Sequence, residues 1–502
     1  MIKSKDPFGK SACEAEVKIL GGKYSALFFA ETPFNDVAIE DDTYLIIGRR
    51  GSGKTALSQY LSFQKIKPHP LYIEVSRPDV YQELLSDISR KASESRPAAV
   101  AHLKRVWEYL IWSLIAAAMG IGRSDSGAAG IGMAASGKLS NFIADAIRHL
   151  VTFFSEPDSR SVGSRLELLV EEADLDHIKR TATEVAATRP IIIAIDTLEQ
   201  YDIQNDALMN ALAGLIEYAS DFNLEFAPAD IHLKLFVAGE VFPHLQESVL
   251  LNPLKVVKHP VYLLWRPRDL LRLIGWRFYR HLSEAGLLPD SVREIRWDDD
   301  DDVLRRMWAP YFGKTITNDE GIVEDTWPYV LRHTQMRPRQ VITICNNVAN
   351  RALREGTFPT FTNAQVVDGV QDAALQLAGE VLNSYSSVYP NVSRIVSGSL
   401  QRLQAVFDGV ELDRRAKQSA PEWRSDYSPS NFRQLVAELG VIGRVTRGDQ
   451  SSEFIDADFE YALTDRLDLT HRDHCVVHPM FHRKLSIVGT RGRVIPFSSR
   501  RR

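Results

Sequence analysis

An eight-residue loop motif between two apolar segments constrains this chain more than any other feature. The motif matches GxxxxGK[ST] and reads Gly48, Arg49, Arg50, Gly51, Ser52, Gly53, Lys54 and Thr55. It follows the β-branched and aromatic run 44–47, and apolar residues at helical spacing come after it, beginning with Ala56. In this order of strand, loop and helix, the pattern predicts a loop that wraps phosphate groups.

The residue types in the loop explain how it would do so. Gly51 and Gly53 permit backbone torsions that other residues avoid, so consecutive N–H groups can turn toward an anion. Lys54 brings a positive charge to the outer phosphates, and the Thr55 hydroxyl is a ligand for Mg²⁺. We therefore predict that residues 48–56 bind a nucleotide with Mg²⁺. ATP is preferred, but no base-specific motif decides between ATP and GTP.

A second apolar run ends in an acidic residue that suits the metal. Residues 190–195 read Pro-Ile-Ile-Ile-Ala-Ile, and Asp196 follows directly. A carboxylate at the mouth of a neighbouring strand can hold phosphate-bound Mg²⁺, so Asp196 and Thr55 are the predicted metal ligands. Hydrolysis requires a further carboxylate to activate water. Glu199 is the candidate general base, and a purely structural carboxylate is the alternative.

Strand-like runs recur through the first half of the chain, with helical patterns between most of them. They lie at residues 44–47, 71–75, 191–195, 233–238 and 261–265. This alternation predicts an α/β fold with a mostly parallel sheet and helices on both faces. The 502 residues suffice for roughly three domains of ordinary size. The composition, with 44% hydrophobic and 25% charged residues, is that of globular proteins.

Changes of pattern divide the chain into segments with different expected structures. They are a lead-in (1–40), a phosphate-binding core (41–265) with a Gly/Ala-rich helical insertion at about 100–185, a helical lid (266–388), a winged-helix-like domain (389–488) and a loose basic tail (489–502).

The two motifs resemble those of prokaryotic STAND and AAA+ P-loop ATPases, including the NACHT-like, KAP-like and origin-recognition-like branches. The resemblance rests on GRRGSGKTAL and IIIAIDTLEQYD, where the family pattern has hydrophobic residues followed by D-G-L-D-E. On that pattern, Asp196 takes the first acid, Glu199 the second, and Gln200 the place of the terminal glutamate. If the terminal acid is the hydrolytic group, this departure implies slow hydrolysis and a nucleotide-gated switch.

The resemblance also implies nucleotide contacts from the helical lid. The segment TQMRPR, residues 334–339, precedes an amphipathic helix, as in the sensor-2 arrangement of AAA+ proteins. Arg337 and Arg339 are therefore predicted to reach the γ phosphate, and Arg339 joins Lys54, Asp196 and Glu199 as a catalytic candidate. Solvated arginines are the alternative.

Two further residues are weaker candidates for nucleotide contact. Residues 476–481 resemble the VHPMF-type ending of the winged helix in this group, which implies that His478 contacts bound diphosphate; packing is the alternative. In the ATPases that the chain resembles, the strand after the acidic motif often ends in a polar residue that senses the γ phosphate. The resemblance thus makes Glu240, which follows the run 233–238, a candidate sensor, and a surface glutamate is the alternative.

The residue patterns disfavour a zinc site, a site for another cation and a membrane contact. The histidines and cysteine at 471–482 have no closed zinc spacing. The acidic run 298–302 is predicted to be a solvated loop, with a cation site as the alternative. Residues 111–136 are broken by polar residues too often to span a bilayer, so a flexible insertion is predicted there rather than a membrane contact.

The charge and the cysteine content limit which partners and which compartment can be expected. The formal net charge of −5 gives no general attraction to nucleic acid, so DNA contact would depend on a local patch, such as the arginines at 491–502. Three cysteines without a CxxC pair predict a reducing, cytoplasmic environment.

The leading hypothesis is a STAND-type regulatory ATPase. In such a protein the nucleotide state controls self-association or a separate effector protein, often in bacterial defence. The alternative is a DNA-associated AAA+ ATPase of the origin-recognition or loader type, which would bind DNA through the winged helix and tail. A scaffold that binds nucleotide without turnover is the third hypothesis.

Overall fold

The computed structural model of the chain contains two compact units. The first consists of Met1–Thr32, Gly51–Gly53 and Leu264–Arg502, and the second of Pro33–Arg50 and Lys54–Leu263. The structure describes residues 6–29, 31–63, 70–75, 95–120, 150, 162–196, 205–248, 250, 256–289, 292, 294–386, 388–423, 427–489 and 493–497. The candidate base Glu199 and its neighbours Thr197 and Gln200 therefore lie outside the described residues.

A five-stranded parallel sheet forms the centre of the second unit, which confirms the predicted α/β arrangement. Its strands are β1 (Leu45–Gly48), β2 (Leu71–Val75), β3 (Ile191–Ile195), β4 (Ile231–Ala238) and β5 (Val261–Tyr262), in the spatial order β2-β3-β4-β1-β5. All neighbouring strands run parallel. Every residue of β3 is buried, which explains its isoleucine-rich sequence, because inner strands of such sheets are covered on both faces.

Helices pack around this sheet within the second unit. They are Pro33–Ala38, Lys54–Tyr60, Arg96–Met119, Val162–Glu172, Leu175–Ala186, Asp206–Phe226 and Phe242–Ser248, with a 3₁₀ turn at Ala227–Ala229. The two longest helices are in close contact at Gly214, where a Cβ atom would lie 3.1 Å from Leu103 Cβ. Trp107 Nε1 donates to the Ala211 carbonyl at 2.8 Å across the same interface.

The predicted flexible insertion is helical in part. Residues 111–119 complete the helix Arg96–Met119, which begins at the N-cap Ser95 and ends at Gly120 with a φ of 74°. Residues 121–149 lie outside the described residues. Within the described part of the chain, no helix is both long enough and apolar enough to cross a membrane.

The first unit begins with a helical region. Its helices are Cys13–Leu20, Tyr24–Leu27, Pro267–Glu284, Asp300–Val303, Ala309–Phe312, Thr326–Arg332, Pro338–Glu355 and Asn363–Ser384, with a 3₁₀ turn at Gly21–Lys23 and a π-helical turn at Leu304–Trp308. A small antiparallel ribbon joins β6 (Thr315–Thr317) to β7 (Val323–Asp325), a feature that the sequence pattern did not predict.

The lead-in belongs to this unit as far as Thr32, and an ion pair fastens it there. Arg277 forms two hydrogen bonds to the Glu16 carboxylate, Nη1 to Oε1 and Nη2 to Oε2, each 3.0 Å long. Both side chains are buried. A paired, bidentate geometry is the arrangement in which such charges are tolerated away from water.

The predicted solvated loop is wrong for part of the acidic run 298–302: its last three residues lie in the helix Asp300–Val303, and Asp302 is also buried. Asp302 is buried and accepts hydrogen bonds from the Arg296 N–H at 3.0 Å, from Arg305 at 2.7 Å and from Arg306 at 2.8 Å. Asp299 caps the short helix that follows. The acids thus start a helix and pair with neighbouring arginines.

A second sheet lies in the carboxy-terminal part of the first unit. Its strands are β8 (Val406–Asp408), β9 (Ile442–Arg447), β10 (Phe454–Asp458), β11 (His474–Val477) and β12 (Arg493–Ile495), in the order β12-β10-β9-β11-β8. The helices are Val392–Leu400, Gly409–Ser419 and Pro429–Glu438, with 3₁₀ turns at Ala420–Glu422, Glu460–Ala462 and Pro479–Phe481. The winged-helix interpretation of this region stays a prediction.

The predicted loose tail is wrong for Arg493–Ile495. This strand pairs with β10 in parallel, and Arg493 forms an ion pair with Glu453 while its guanidinium lies 4.2 Å from the centre of the Phe454 ring. Arg493 is therefore buried, and the remaining arginines of the tail, at 491 and 500–502, lie outside the described residues.

Candidate functional site

The phosphate-loop motif begins at the buried end of β1. Within the second unit, Gly48 ends this strand and Lys54 starts the helix Lys54–Tyr60. Lys54 is 4% exposed, and its Nζ donates to the Gly48 carbonyl at 2.8 Å. The lysine thus crosses from the helix start to the strand end, which fixes its ammonium group beside the loop. Thr55 and Ala56 follow in the first turn of the helix.

The glycines of the loop have the torsions that the sequence predicts. Gly51 has a φ of 80° and Gly53 a φ of 102°, both in the region that residues with a Cβ atom rarely adopt. Gly51–Gly53 belong to the first unit. There the Arg339 N–H donates to the Gly51 carbonyl at 3.3 Å, and Trp265 Nε1 donates to the Ser52 carbonyl at 2.7 Å.

Gly51 also allows a close approach by Arg339. A Cβ atom at Gly51 would lie only 2.9 Å from Arg339 Cβ, so any larger residue would displace this arginine. The contact of Trp265 with the loop was not predicted, because the sequence pattern placed Trp265 at the end of the strand-like run 261–265.

Asp196 lies at the same edge of the sheet as the start of the loop. It follows β3 and is 1% exposed, and its N–H donates to the Val75 carbonyl at 3.2 Å. β4 pairs with β3 on one side and with β1 on the other, all in parallel. The carboxyl ends of parallel strands meet at one edge of a sheet, which is where ligands bind in folds of this kind.

The two predicted metal ligands are of the kind that Mg²⁺ takes. Thr55 offers a hydroxyl oxygen and Asp196 a carboxylate, and Mg²⁺ takes oxygen ligands while it keeps several waters and phosphate oxygens. A soft metal would favour thiolates or imidazoles, and neither kind of side chain accompanies Thr55 and Asp196 among the described residues of the motif and of β3.

Glu240 is buried against the loop, so the alternative of a surface glutamate is wrong. Its side chain follows β4, is 6% exposed, and accepts a hydrogen bond from the Arg50 N–H at 2.9 Å. The Gly239 N–H donates to the Gly48 carbonyl at 3.0 Å just before it. The position of Glu240 after a strand run was visible in the sequence, but its burial was not.

The two candidate arginines of the lid lie in different surroundings. Arg339 is partly exposed, and its guanidinium contacts the Ser11 carbonyl at 3.1 Å and Glu380 at 3.3 Å. Arg337 is 5% exposed, and its Nη2 donates to Gln335 Oε1 at 2.7 Å. The alternative of a solvated side chain is therefore wrong for Arg337, and phosphate contact by either arginine stays a prediction.

Gln335 links the lid segment to the carboxy-terminal region of the same unit. Its Nε2 donates to the Leu439 carbonyl at 2.7 Å, at the end of the helix Pro429–Glu438. Gly440 follows with a φ of 64°, and a Cβ atom there would lie 2.7 Å from this amide nitrogen. Arg337, Gln335 and Leu439 thus form a continuous chain of hydrogen bonds.

His478 is fully buried, in an arrangement that favours the packing alternative. Its Nδ1 accepts from the Met480 N–H at 3.1 Å, and its Nε2 lies 2.8 Å from the Tyr461 hydroxyl. Burial lowers the pKa of His478 to about 3, so its ring is neutral at physiological pH. Diphosphate contact by His478 stays a prediction.

The other candidate ligands of the carboxy-terminal region do not converge. The histidines and Cys475 at 471–482 form no group of metal-ligand atoms; where the structure describes the chain, the group with ligand atoms within 4.8 Å of one another is Asp41, Asp230 and His232. His232 is buried, and its Nε2 lies 3.2 Å from Asp230 Oδ1 and 3.7 Å from Asp41 Oδ1.

Comparisons with known proteins add little to this geometry. No family model matches the chain, and no curated protein matches it significantly. Among solved structures, the ORC2 protein of Aeropyrum pernix, determined as ADPNP-ADP complexes, matches with 12% identity and a TM-score of 0.34 over 88% of this chain and 92% of that chain. At this TM-score the match carries no conclusion about what this chain binds or does.

Proposed function

We propose that this chain is a Mg²⁺-dependent P-loop ATPase whose nucleotide state acts as a regulatory switch. The proposal rests chiefly on one observation: a glycine-rich loop with a buried lysine follows β1, and a buried aspartate follows β3 at the same sheet edge. These are the parts required to hold a triphosphate and its metal.

Each residue of the site has a role in this proposal. Lys54 neutralises charge on the outer phosphates, and Thr55 and Asp196 hold Mg²⁺. Bound there, Mg²⁺ would supply positive charge that offsets the negative charge of the phosphate groups. Glu199 orients or deprotonates the attacking water. Gln200 replaces an acid of the family pattern, so we expect turnover to be slow.

The switch part of the proposal is supported by the contacts of Arg337 in the first unit. Its guanidinium is hydrogen-bonded to Gln335, which in turn is hydrogen-bonded to Leu439. A phosphate that competes for this arginine would release Gln335 and disturb the end of the helix Pro429–Glu438. This change is proposed to control self-association or a separate effector protein, as in STAND proteins.

The DNA-associated alternative has less support. Arg433, the basic residue of the helix Pro429–Glu438, forms an ion pair with Asp413, and Arg493 of the predicted tail is buried. Arginines engaged in this way are not free to track a phosphate backbone, which is the basis of salt-dependent binding to DNA.

Asp196→Asn is expected to remove the dependence of ATP binding on Mg²⁺. In the parent chain, titration calorimetry should show that ATP binds about tenfold tighter with Mg²⁺ than with a chelator. Single contacts around a bound metal are typically worth about tenfold or more in affinity. In the variant the two affinities should converge. Asp176→Asn, at an exposed position of the same unit, is the control. Equal strengthening by Mg²⁺ in the parent and in Asp196→Asn would contradict the metal assignment.

Gln335→Glu is expected to uncouple the carboxy-terminal region from nucleotide. Glutamate retains an acceptor for Arg337 but cannot donate to the Leu439 carbonyl. Hydrogen exchange across residues 429–440 should change with ATP in the parent chain, and this change should be largely lost in the variant although ATP still binds. An ATP-induced change of the same size in both proteins would argue against the switch.

A further inference from the structure

Glu240 is brought to the phosphate loop by an extension of the central sheet. β4 pairs with β1 from Leu235 to Ala238, and the bond from the Gly239 N–H to the Gly48 carbonyl continues the pairing one residue beyond the end of β4. The next residue, Glu240, therefore meets the first part of the loop. Its position is determined by the strand register.

The absence of a side chain at Gly239 permits this approach. A Cβ atom there would lie 3.1 Å from Arg49 Cγ and 3.2 Å from Arg49 N, both closer than ordinary contacts. With glycine at this position, the chain after β4 can lie directly against Arg49 and Arg50.

The Glu240 carboxylate uses a backbone donor of a loop whose donors normally serve phosphates. Its Oε1 accepts from the Arg50 N–H at 2.9 Å, and the residue is 6% exposed. Such N–H groups make a concave site for anions. One buried anion is therefore built into the site itself.

The location of Arg50 decides which phosphate this charge affects. The amides at the helix start, from Lys54 onward, are the donors that surround the inner phosphates in loops of this pattern. Arg50 lies on the other flank, before Gly51, on the side toward the end of β1. Negative charge on that flank acts most strongly on the terminal phosphate, because like charges repel more at shorter distances.

We propose that Glu240 sets the nucleotide preference of this site by disfavouring the γ phosphate, so that the diphosphate is the better ligand of the resting protein. This inference rests on the proposed nucleotide-binding function and specifies its regulation. A resting state loaded with diphosphate suits a switch, since triphosphate then binds appreciably only when the repulsion is relieved.

The test compares the affinities of ADP and of a non-hydrolysable ATP analogue, both with Mg²⁺, by titration calorimetry on the full chain. Glu240→Gln keeps an acceptor for the Arg50 N–H and removes the charge. The analogue should bind about tenfold tighter to this variant than to the parent, the effect of one partly screened unit charge, while ADP affinity changes less than about twofold. Glu225→Gln, on an exposed part of the helix Asp206–Phe226, should change neither affinity.

Other outcomes separate this inference from the proposed function. If Glu240→Gln and Glu240→Ala alter both affinities in parallel, or neither, Glu240 only braces the loop and the inference is wrong, although the site still binds nucleotide. If the parent chain binds neither ligand more tightly than Lys54→Ala does, the proposed function fails, and the inference fails with it.

Discussion

Lys54→Ala is expected to weaken ATP binding by about 100-fold or more, a loss of about 2.8 kcal/mol or more. The lysine is 4% exposed and starts the helix that follows the loop, so its charge acts in surroundings from which water is largely excluded. Removing one partner of a buried charge pair costs both the attraction and the desolvation of the remaining partner. Titration calorimetry with Mg²⁺ and ATP measures the loss directly.

The controls for this variant address folding and general charge. Lys54 Nζ donates to the Gly48 carbonyl, so thermal unfolding of Lys54→Ala must be compared with that of the parent chain. Lys104→Ala removes a lysine paired with Asp221 on the surface of the same unit, and its ATP affinity should equal that of the parent. A folded Lys54→Ala protein that binds ATP as tightly as the parent would contradict the proposed nucleotide site.

Glu16→Ala is expected to lower the free energy of unfolding of the first unit by about 3–5 kcal/mol. Arg277 would keep its charge while losing both 3.0 Å hydrogen bonds to the carboxylate, in a place that water does not reach. A buried charge left without its partner destabilises a fold far more than removal of both charges does. Urea unfolding, followed by tryptophan fluorescence, measures the difference.

Two further variants show whether the lone charge is the cause. Glu284→Ala removes the partner of Arg280 at the surface of the same helix, Pro267–Glu284, and should cost less than about 1 kcal/mol. Glu16→Leu combined with Arg277→Met should recover much of the stability lost in Glu16→Ala, since apolar pairs of similar volume often replace buried ion pairs. A double variant as unstable as Glu16→Ala would exclude this explanation.

The glycine-rich loop and the parallel sheet could be predicted from sequence because both depend on local patterns. The torsions of Gly51 and Gly53 follow from the absence of a side chain, and the five buried residues of β3 are the apolar run that precedes Asp196. In these places, short-range sterics and hydrophobic periodicity determine the structure without help from distant residues.

The environment of the loop could not be predicted in the same way. Contacts of Glu240 with Arg50, and of Trp265 with Ser52, join residues separated by 190 and 213 positions. No periodicity records which side chains such distant segments bring together. The same reason explains why Arg337 was not expected to be hydrogen-bonded to Gln335 within a buried chain that continues to Leu439.

Two elements of the carboxy-terminal region were also not predicted from the sequence. The helix Gly409–Ser419 was missed because charged residues dominate its sequence, although Asp408 caps its start and accepts from the Glu411 N–H at 2.7 Å. β12 was missed because an arginine-rich segment gives no strand signal. Its arginine is stabilised by pairing with Glu453 and stacking on Phe454, interactions that exist only after the sheet has formed.

The shortness of β5 restricts how copies of this chain can associate. Among the strands that the structure describes, Val261–Tyr262 forms one border of the parallel sheet and pairs with β1 at two positions, Ile46 and Ile47. Strand addition by a second molecule requires a long row of unsatisfied backbone donors and acceptors, and a border of two residues offers very few. An oligomer that uses this border would therefore be held together by side chains, whose charge and shape can be selective, and would be protected from open-ended fibre growth.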